Sequence, residues 1–458
     1  MTALATDLRH LLTGEIQDDP ETLSRYELDY GQLLRRQPAA VIWPDGAADV
    51  AAAVRYAAAR GIPVSPRGTG HSLRGQSAND GGLILDLTRL DHLTVDPAAR
   101  EFRCDPGVRW RTVVATAGPH RLVPPVLTGY PHVTVAGTHS AGGWGDASFR
   151  YGAQVDNCTA LEVVTGTGER LRCTAEHNAE LFGHVLGGMG QFAVITAIEH
   201  RLREFRPLDR TYHLDYPDVA SLLADCRTLV AADSPVDSLE CRLDTGPDRS
   251  WRYRALVTIE ADSARELPDH SPVPDLIGRL DQIVDLPTAR TLSRPDATEV
   301  AARPGIAQPW MVAFLPWSRA QAFVELCLRR LPPNLLGGRG GTVRLWPAHR
   351  KVTNTPMLRV PDSEPEMVMV GIFPSVPTSQ LPAALAIISR VSDLALESGG
   401  TRHLATWVHL DRPRWRLHFG EHWTRVNELK RTYDPAGVLN PGFVDYEPKA
   451  VEAATAED

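Results

Sequence analysis

The sequence predicts an α+β chain in two parts: a mixed helix and strand domain over 1–205, then a domain over 206–404 built on a sheet covered by helices. Three observations carry this. The 458 residues exceed the length at which a single core stops growing, so two domains are expected. Short β-prone runs alternate with helically spaced apolar residues through the first two hundred positions. From about 206 the texture changes to longer strands and amphipathic helices.

Residues 1–36 form a polar, helix-rich lead-in. The apolar run 40–43, stopped by Pro44, reads as a strand. Val50, Val54 and Ala57 or Ala58 follow at helical spacing within 45–60, and 62–66 returns to strand character before a glycine turn. Further β-prone runs lie at 82–87, 102–104, 159–164 and 192–198. In the second part, 208–214 and 251–260 read as strands, and Pro217 and Asp218 start a helix over 218–232. Prolines punctuate 262–308, which is expected to be irregular. Helices over 320–330 and 379–396 flank an apolar strand at 367–373. The stretch 411–446 gathers Trp415, His418, Phe419, His422 and Trp423, and 447–458 reads as a flexible tail.

Composition narrows the function. Lys plus Arg number 48 against 56 for Asp plus Glu, a formal charge of -8, which argues against a protein that grips phosphate backbones; no nucleic-acid partner is expected. The six cysteines are scattered, with neither CxxC pairs nor zinc-like spacing, so no metal site is expected. The N-terminus lacks a basic segment followed by an apolar core, and no run of about eighteen apolar residues occurs. A cytoplasmic protein with no membrane partner is the expectation.

The chemistry concentrates in four blocks. Arg67-Gly68-Thr69-Gly70-His71-Ser72, followed by Gly75 and Gln76, is a turn whose small residues let the backbone approach a dinucleotide diphosphate while an imidazole faces the ring system. Thr134 to Gly143 forms a second small-residue stretch, with Gly137, Thr138 and Ser140 inside it. The third runs from Leu186-Gly187-Gly188 through Gly190 to Ile195, and the fourth holds His418-Phe419-Gly420 and Asn440-Pro441-Gly442. No G-x-G-x-x-G opens a helix after a first strand, which sets aside the doubly wound dinucleotide fold.

In order and spacing these blocks resemble the PCMH-type FAD-binding family of the vanillyl-alcohol oxidase superfamily, and within it the cytokinin dehydrogenases, over roughly 38–203 and 403–446. The resemblance implies a PCMH-type FAD-binding domain over 1–205 that 405–446 returns to complete, with 206–404 as the substrate domain. It also implies FAD joined covalently to His71. Arg67, Gly68, Thr69, Gly70, Ser72, Gln76, Thr134, Gly137, Thr138, Ser140, Gly143 and Ile195 fall on cofactor-binding positions. Berberine bridge enzymes, a more distant resemblance, use a cysteine for a second bond; 129–135 contains none, so one linkage is expected.

The catalytic base is where this chain departs from the family. Cytokinin dehydrogenases carry an aspartate where this sequence has Gly129, which can accept no proton. Glu240 falls loosely on a second family glutamate, while His132, His139 and Asp146 flank the flavin-binding stretch and Tyr130 could bond at the flavin face. Trp310, Phe314, Trp317, Trp346, Phe373 and Trp407 resemble positions that line the family's cavity. The expected activity is an FAD-dependent oxidase or dehydrogenase. It removes two electrons from a C–N or C–O bond of a small aromatic or conjugated metabolite, in specialised biosynthesis, with oxygen or another electron acceptor restoring the flavin. A berberine bridge-type oxidative cyclase, a cytokinin dehydrogenase with a relocated base and a non-catalytic flavin-binding protein are the alternatives.

Overall fold

The structure, a computed structural model, describes residues 3–246, 250–292, 304–331, 335, 342–350, 353 and 355–448; the expected tail beyond 448 lies outside them. In the N-terminal part, the β-branched run Ala40–Trp43 pairs in parallel with Leu83–Asp86, which pairs in parallel with Val64–Arg67. Parallel neighbours need a crossover. Helix Ala47–Ala58 supplies one, burying Val50, Val54 and Ala57 at the spacing read from the sequence. Glu15–Gln17 adds an antiparallel edge.

A second, antiparallel sheet of five strands follows in the order Leu93–Asp96, Glu101–Cys104, Ala193–Arg201, Cys158–Thr165, Arg170–Thr174. Its central strand Ala193–Arg201 is almost wholly buried and carries helix Val135–Ala141 on one face. The C-terminal segment returns to the first sheet: Val64 N–H donates to Val438 O at 2.8 Å, and Asn440 N–H donates to Val64 O at 3.0 Å. Sequence-distant residues therefore share one core, in which Val438 and Leu439 pack with Val54, Val64 and Leu85.

The middle of the chain forms an antiparallel sheet of eight strands. Their order is Arg279–Pro287, Leu208–Tyr216, Trp251–Ala261, Ser238–Thr245, Thr342–His349, Glu366–Phe373, Met311–Pro316, Thr401–Arg402. Helices Val219–Leu229, Trp317–Arg330 and Leu381–Glu397 cover one face, each burying an apolar stripe. Asp218 starts the first by accepting the Ser221 N–H at 2.7 Å. Other residues of the opposite face look toward the N-terminal part.

One expectation fails within the described part of 262–308. Arg279–Pro287 is a nine-residue edge strand, antiparallel to Leu208–Tyr216. An edge strand buries little, so its apolar alternation is weak and the flanking prolines dominate the pattern.

Candidate active site

A cavity of about 930 Å3 lies between the small-residue loops of the N-terminal part and the uncovered face of the eight-stranded sheet. The strand Val64–Arg67 delivers the chain into the first loop. Gly68 admits no side chain, since a Cβ would collide with Thr134 Oγ1. Gly70 turns at φ 69°, where a Cβ would also press on the Arg67 guanidinium. The loop thus closes against the start of helix Val135–Ala141, where Thr134 Oγ1 accepts the Gly137 N–H at 3.2 Å.

The lead-in segment clamps this loop from behind. Tyr30 N–H donates to Gly70 O at 2.9 Å and Gly31 N–H to Ser72 O at 3.0 Å. Arg67 reaches back to Leu28 O at 3.0 Å and Ser77 O at 3.2 Å. Asp29 Oδ2 accepts from Ser72 Oγ at 2.8 Å and from Gly75 N–H at 2.5 Å. Burial pushes the Asp29 carboxyl up to about 6, against the pull of those hydrogen bonds and of Arg67. The His71 ring stacks on Tyr30, with centroids 4.0 Å apart and planes at 13°, and Tyr130 leans on it at 4.9 Å.

All thirteen expected cofactor residues line this one cavity: Arg67, Gly68, Thr69, Gly70, His71, Ser72, Gln76, Thr134, Gly137, Thr138, Ser140, Gly143 and Ile195. Among the lining residues, Gln76 Nε2, Thr128 Oγ1, Trp144 Nε1 and Asn440 Oδ1 are buried with no hydrogen-bond partner among the described residues. Each such atom costs roughly 1–3 kcal/mol unless something bonds it. Backbone opened by glycine, together with buried polar atoms that call for partners, suits an elongated polar ligand such as a dinucleotide.

The expected bases separate. Tyr130 and Asp146 line the cavity; Asp146 Oδ1 accepts the Trp346 indole N–H at 2.9 Å. His132 packs on Tyr130 at 5.2 Å and does not line the cavity. Burial, then Arg111 and Arg109, lowers its pKa. His139 lies outside the site: helical periodicity puts it on the face of Val135, where it packs between Trp110 and His200 and bonds Val135 O through Nδ1 at 2.8 Å. Full burial lowers its pKa to about 4. Glu240 is also removed from the cavity surface, 3% exposed beneath Arg242 and Arg344, which each form an ion pair with it at 2.8 Å.

Of the six expected aromatic wall residues, Trp310, Trp346 and Phe373 line the cavity, whereas Phe314, Trp317 and Trp407 are buried away from it. Tyr30, Arg242, Asp244, Thr342, Arg344 and Asn440 also line it, and of these only Asn440, in the fourth block, was singled out from sequence. A signal existed for the middle four. Glu240, Arg242 and Asp244 alternate along one strand and Thr342 and Arg344 along its neighbour, a period-2 polar pattern on a buried sheet.

The architecture and the shared cavity are those of an FAD-binding oxidoreductase. Residues 38–174 match the family model described as "FAD binding domain", and 283–444 match "Cytokinin dehydrogenase 1, FAD and cytokinin binding". The chain is 30% identical over 450 residues to an uncharacterized oxidoreductase, ORF5 in the fasciation locus of Rhodococcoides fascians, covering 94% of this chain and 99% of that protein. It is 28% identical to cytokinin dehydrogenase 10 of Oryza sativa subsp. japonica, covering 94% of this chain and 88% of the relative. In fold it is similar to 6-hydroxy-D-nicotine oxidase from Arthrobacter nicotinovorans, with a TM-score of 0.73, 23% identity, and coverage of 93% and 96% of the two chains. The chain therefore belongs to the PCMH-type FAD-binding oxidoreductases and is related to the cytokinin dehydrogenases.

Proposed function

We propose that the protein oxidises a C–N or C–O bond of a small planar metabolite, with FAD held covalently through His71. The observation that carries this reading is the single cavity in which the Gly68–Ser72 loop and His71 face Trp310, Trp346 and Phe373. Bound FAD supplies the two-electron acceptor, and oxygen or another acceptor restores it. The loop 67–72, Gln76, Thr134, the N-terminal half of helix Val135–Ala141 and Ile195 hold the cofactor. Tyr30 and Tyr130 fix the orientation of the His71 ring from two sides.

Asp146 serves as proton acceptor in place of the family aspartate that Gly129 replaces. It is the one carboxylate on the cavity wall outside the arginine strands among the described residues. The Trp346 indole holds one oxygen, which directs the other. The wall of Trp310 and Phe373, edge to face at 5.1 Å, shields the reacting face from water and gives a flat ring a surface to lie on.

Anaerobic mixing of the purified yellow protein with a panel of aromatic amines and alcohols tests this reading. At least one member should bleach the visible flavin band in a single turnover. A flavin that no amine or alcohol reduces, but that dithionite does, contradicts it.

A further inference from the structure

We infer that the substrate carries an anionic group, of carboxylate type, which Arg242 and Arg344 bind at one end of the aromatic wall. The inference rests on the functional reading above and assigns the chemistry of the substrate's far end.

Arg242 on Ser238–Thr245 and Arg344 on Thr342–His349 are register partners, directly opposite each other across two antiparallel strands. Like charges so placed repel, and each is about one-third exposed, 37% and 34%, so water screens them only in part. Glu240 lies beneath both. Its Oε2 accepts a hydrogen bond from Arg242, and its Oε1 forms an ion pair with Arg344, each at 2.8 Å. One carboxylate thus sits between two guanidiniums, so the three-residue group itself carries one net positive charge.

Each arginine has five N–H donors; Arg242 spends one Nη–H on Glu240, Arg344 meets it only as an ion pair, and no other hydrogen bond engages either guanidinium among the described residues. Two further carboxylates lie on the same wall. Asp146 is engaged by the Trp346 indole, and Asp244 is exposed at the outer end of its strand. Neither bonds an arginine of the pair, although both attract Arg242 through space. Each guanidinium therefore keeps donors of its planar N–H fork without a protein acceptor, and such forks suit carboxylates.

Next to the fork the wall is aromatic. Phe373 lies 6.0 Å from the Arg344 guanidinium carbon, and Trp346 and Phe373 stand edge to face at 6.2 Å. Gly371, the register partner of Arg344, leaves room for the Phe373 ring where any Cβ would strike it. A ring on the aromatic surface with an acidic substituent toward the arginines uses both features.

The test titrates the FAD-loaded full chain with 2-naphthoate and with its neutral isostere 2-naphthamide, reading the visible flavin spectrum and the fluorescence of the wall tryptophans. 2-Naphthoate should bind at least tenfold more tightly, and added salt should narrow the gap. In Arg242→Met and Arg344→Met variants that keep their flavin and melting temperature, the preference should fall below threefold, with Arg344→Lys intermediate. Equal affinity, a preference for the amide, no binding of either compound, or a preference that survives both methionine variants overturns the inference. A protein without flavin would instead overturn the functional reading, and the fluorescence titration would still decide the arginine site.

Discussion

Tyr30 lies flat against His71, and the two rings are held together by main-chain hydrogen bonds from Tyr30 and Gly31 to Gly70 and Ser72. A residue of the polar lead-in thereby sets the angle of the imidazole proposed to carry the cofactor. Replacing Tyr30 with leucine keeps bulk but removes the flat face. The fraction of flavin that stays with acid-precipitated protein should fall severalfold while total flavin falls less. Unchanged covalent occupancy would show that the stack does not orient the ring.

Asp29 makes the same clamp sensitive to pH. Its folded pKa, about 6, lies above the unfolded value near 3.9. Its bound proton therefore favours the folded state; this contribution is complete below about pH 4 and is lost as pH rises through about 6. The loss is roughly 2–3 kcal/mol. Asp29→Asn can accept the Ser72 and Gly75 bonds through its amide oxygen but does not titrate. The melting temperature of the variant relative to the parent should rise by several degrees between pH 4 and 6.5. A constant difference across that range would contradict the assignment.

Asp146→Asn should lower the rate of flavin reduction by roughly 10²-fold or more, as expected for loss of a general base, while the protein keeps its flavin. Trp346→Phe, which removes the indole donor, should cost less and shift the pH profile of flavin reduction. A Cβ at Gly129 meets no atom within 4 Å, so Gly129→Asp should fold normally and partly rescue Asp146→Asn. Full activity of Asp146→Asn on its own would remove it as the proton acceptor.

Glu240→Gln tests whether that carboxylate balances charge or does chemistry. Breaking a buried ion pair costs about 3–5 kcal/mol, and the partial exposure of both arginines reduces this to roughly 1–3 kcal/mol here. The expected result is a clear loss of melting temperature with flavin reduction still measurable. Wild-type stability combined with abolished reduction would reverse the reading.

Glycine spacing made the loop side of the cavity legible in the sequence, because close backbone approach leaves few alternatives to glycine at Gly68 and Gly70. His139 misled because it lies within the same motif, yet a helix of 3.6 residues per turn carries it to the opposite face from Gly137 and Ser140. The arginine fork depends on the pairing of strands about a hundred residues apart. Register between such strands is a tertiary property that local pattern cannot supply. Glu240 illustrates the result: its residue type suggested a base, but its neighbours make it a counter-ion.

The most direct test of the account is peptide mass spectrometry of the proteolysed, acid-denatured protein. The peptide containing His71 should carry the mass of FAD less two hydrogens, and the same peptide from His71→Ala should not, even where that variant still binds dissociable FAD. An unmodified His71 peptide from yellow protein, or a flavin adduct on any other residue, would contradict the placement of the cofactor on which the proposed chemistry depends.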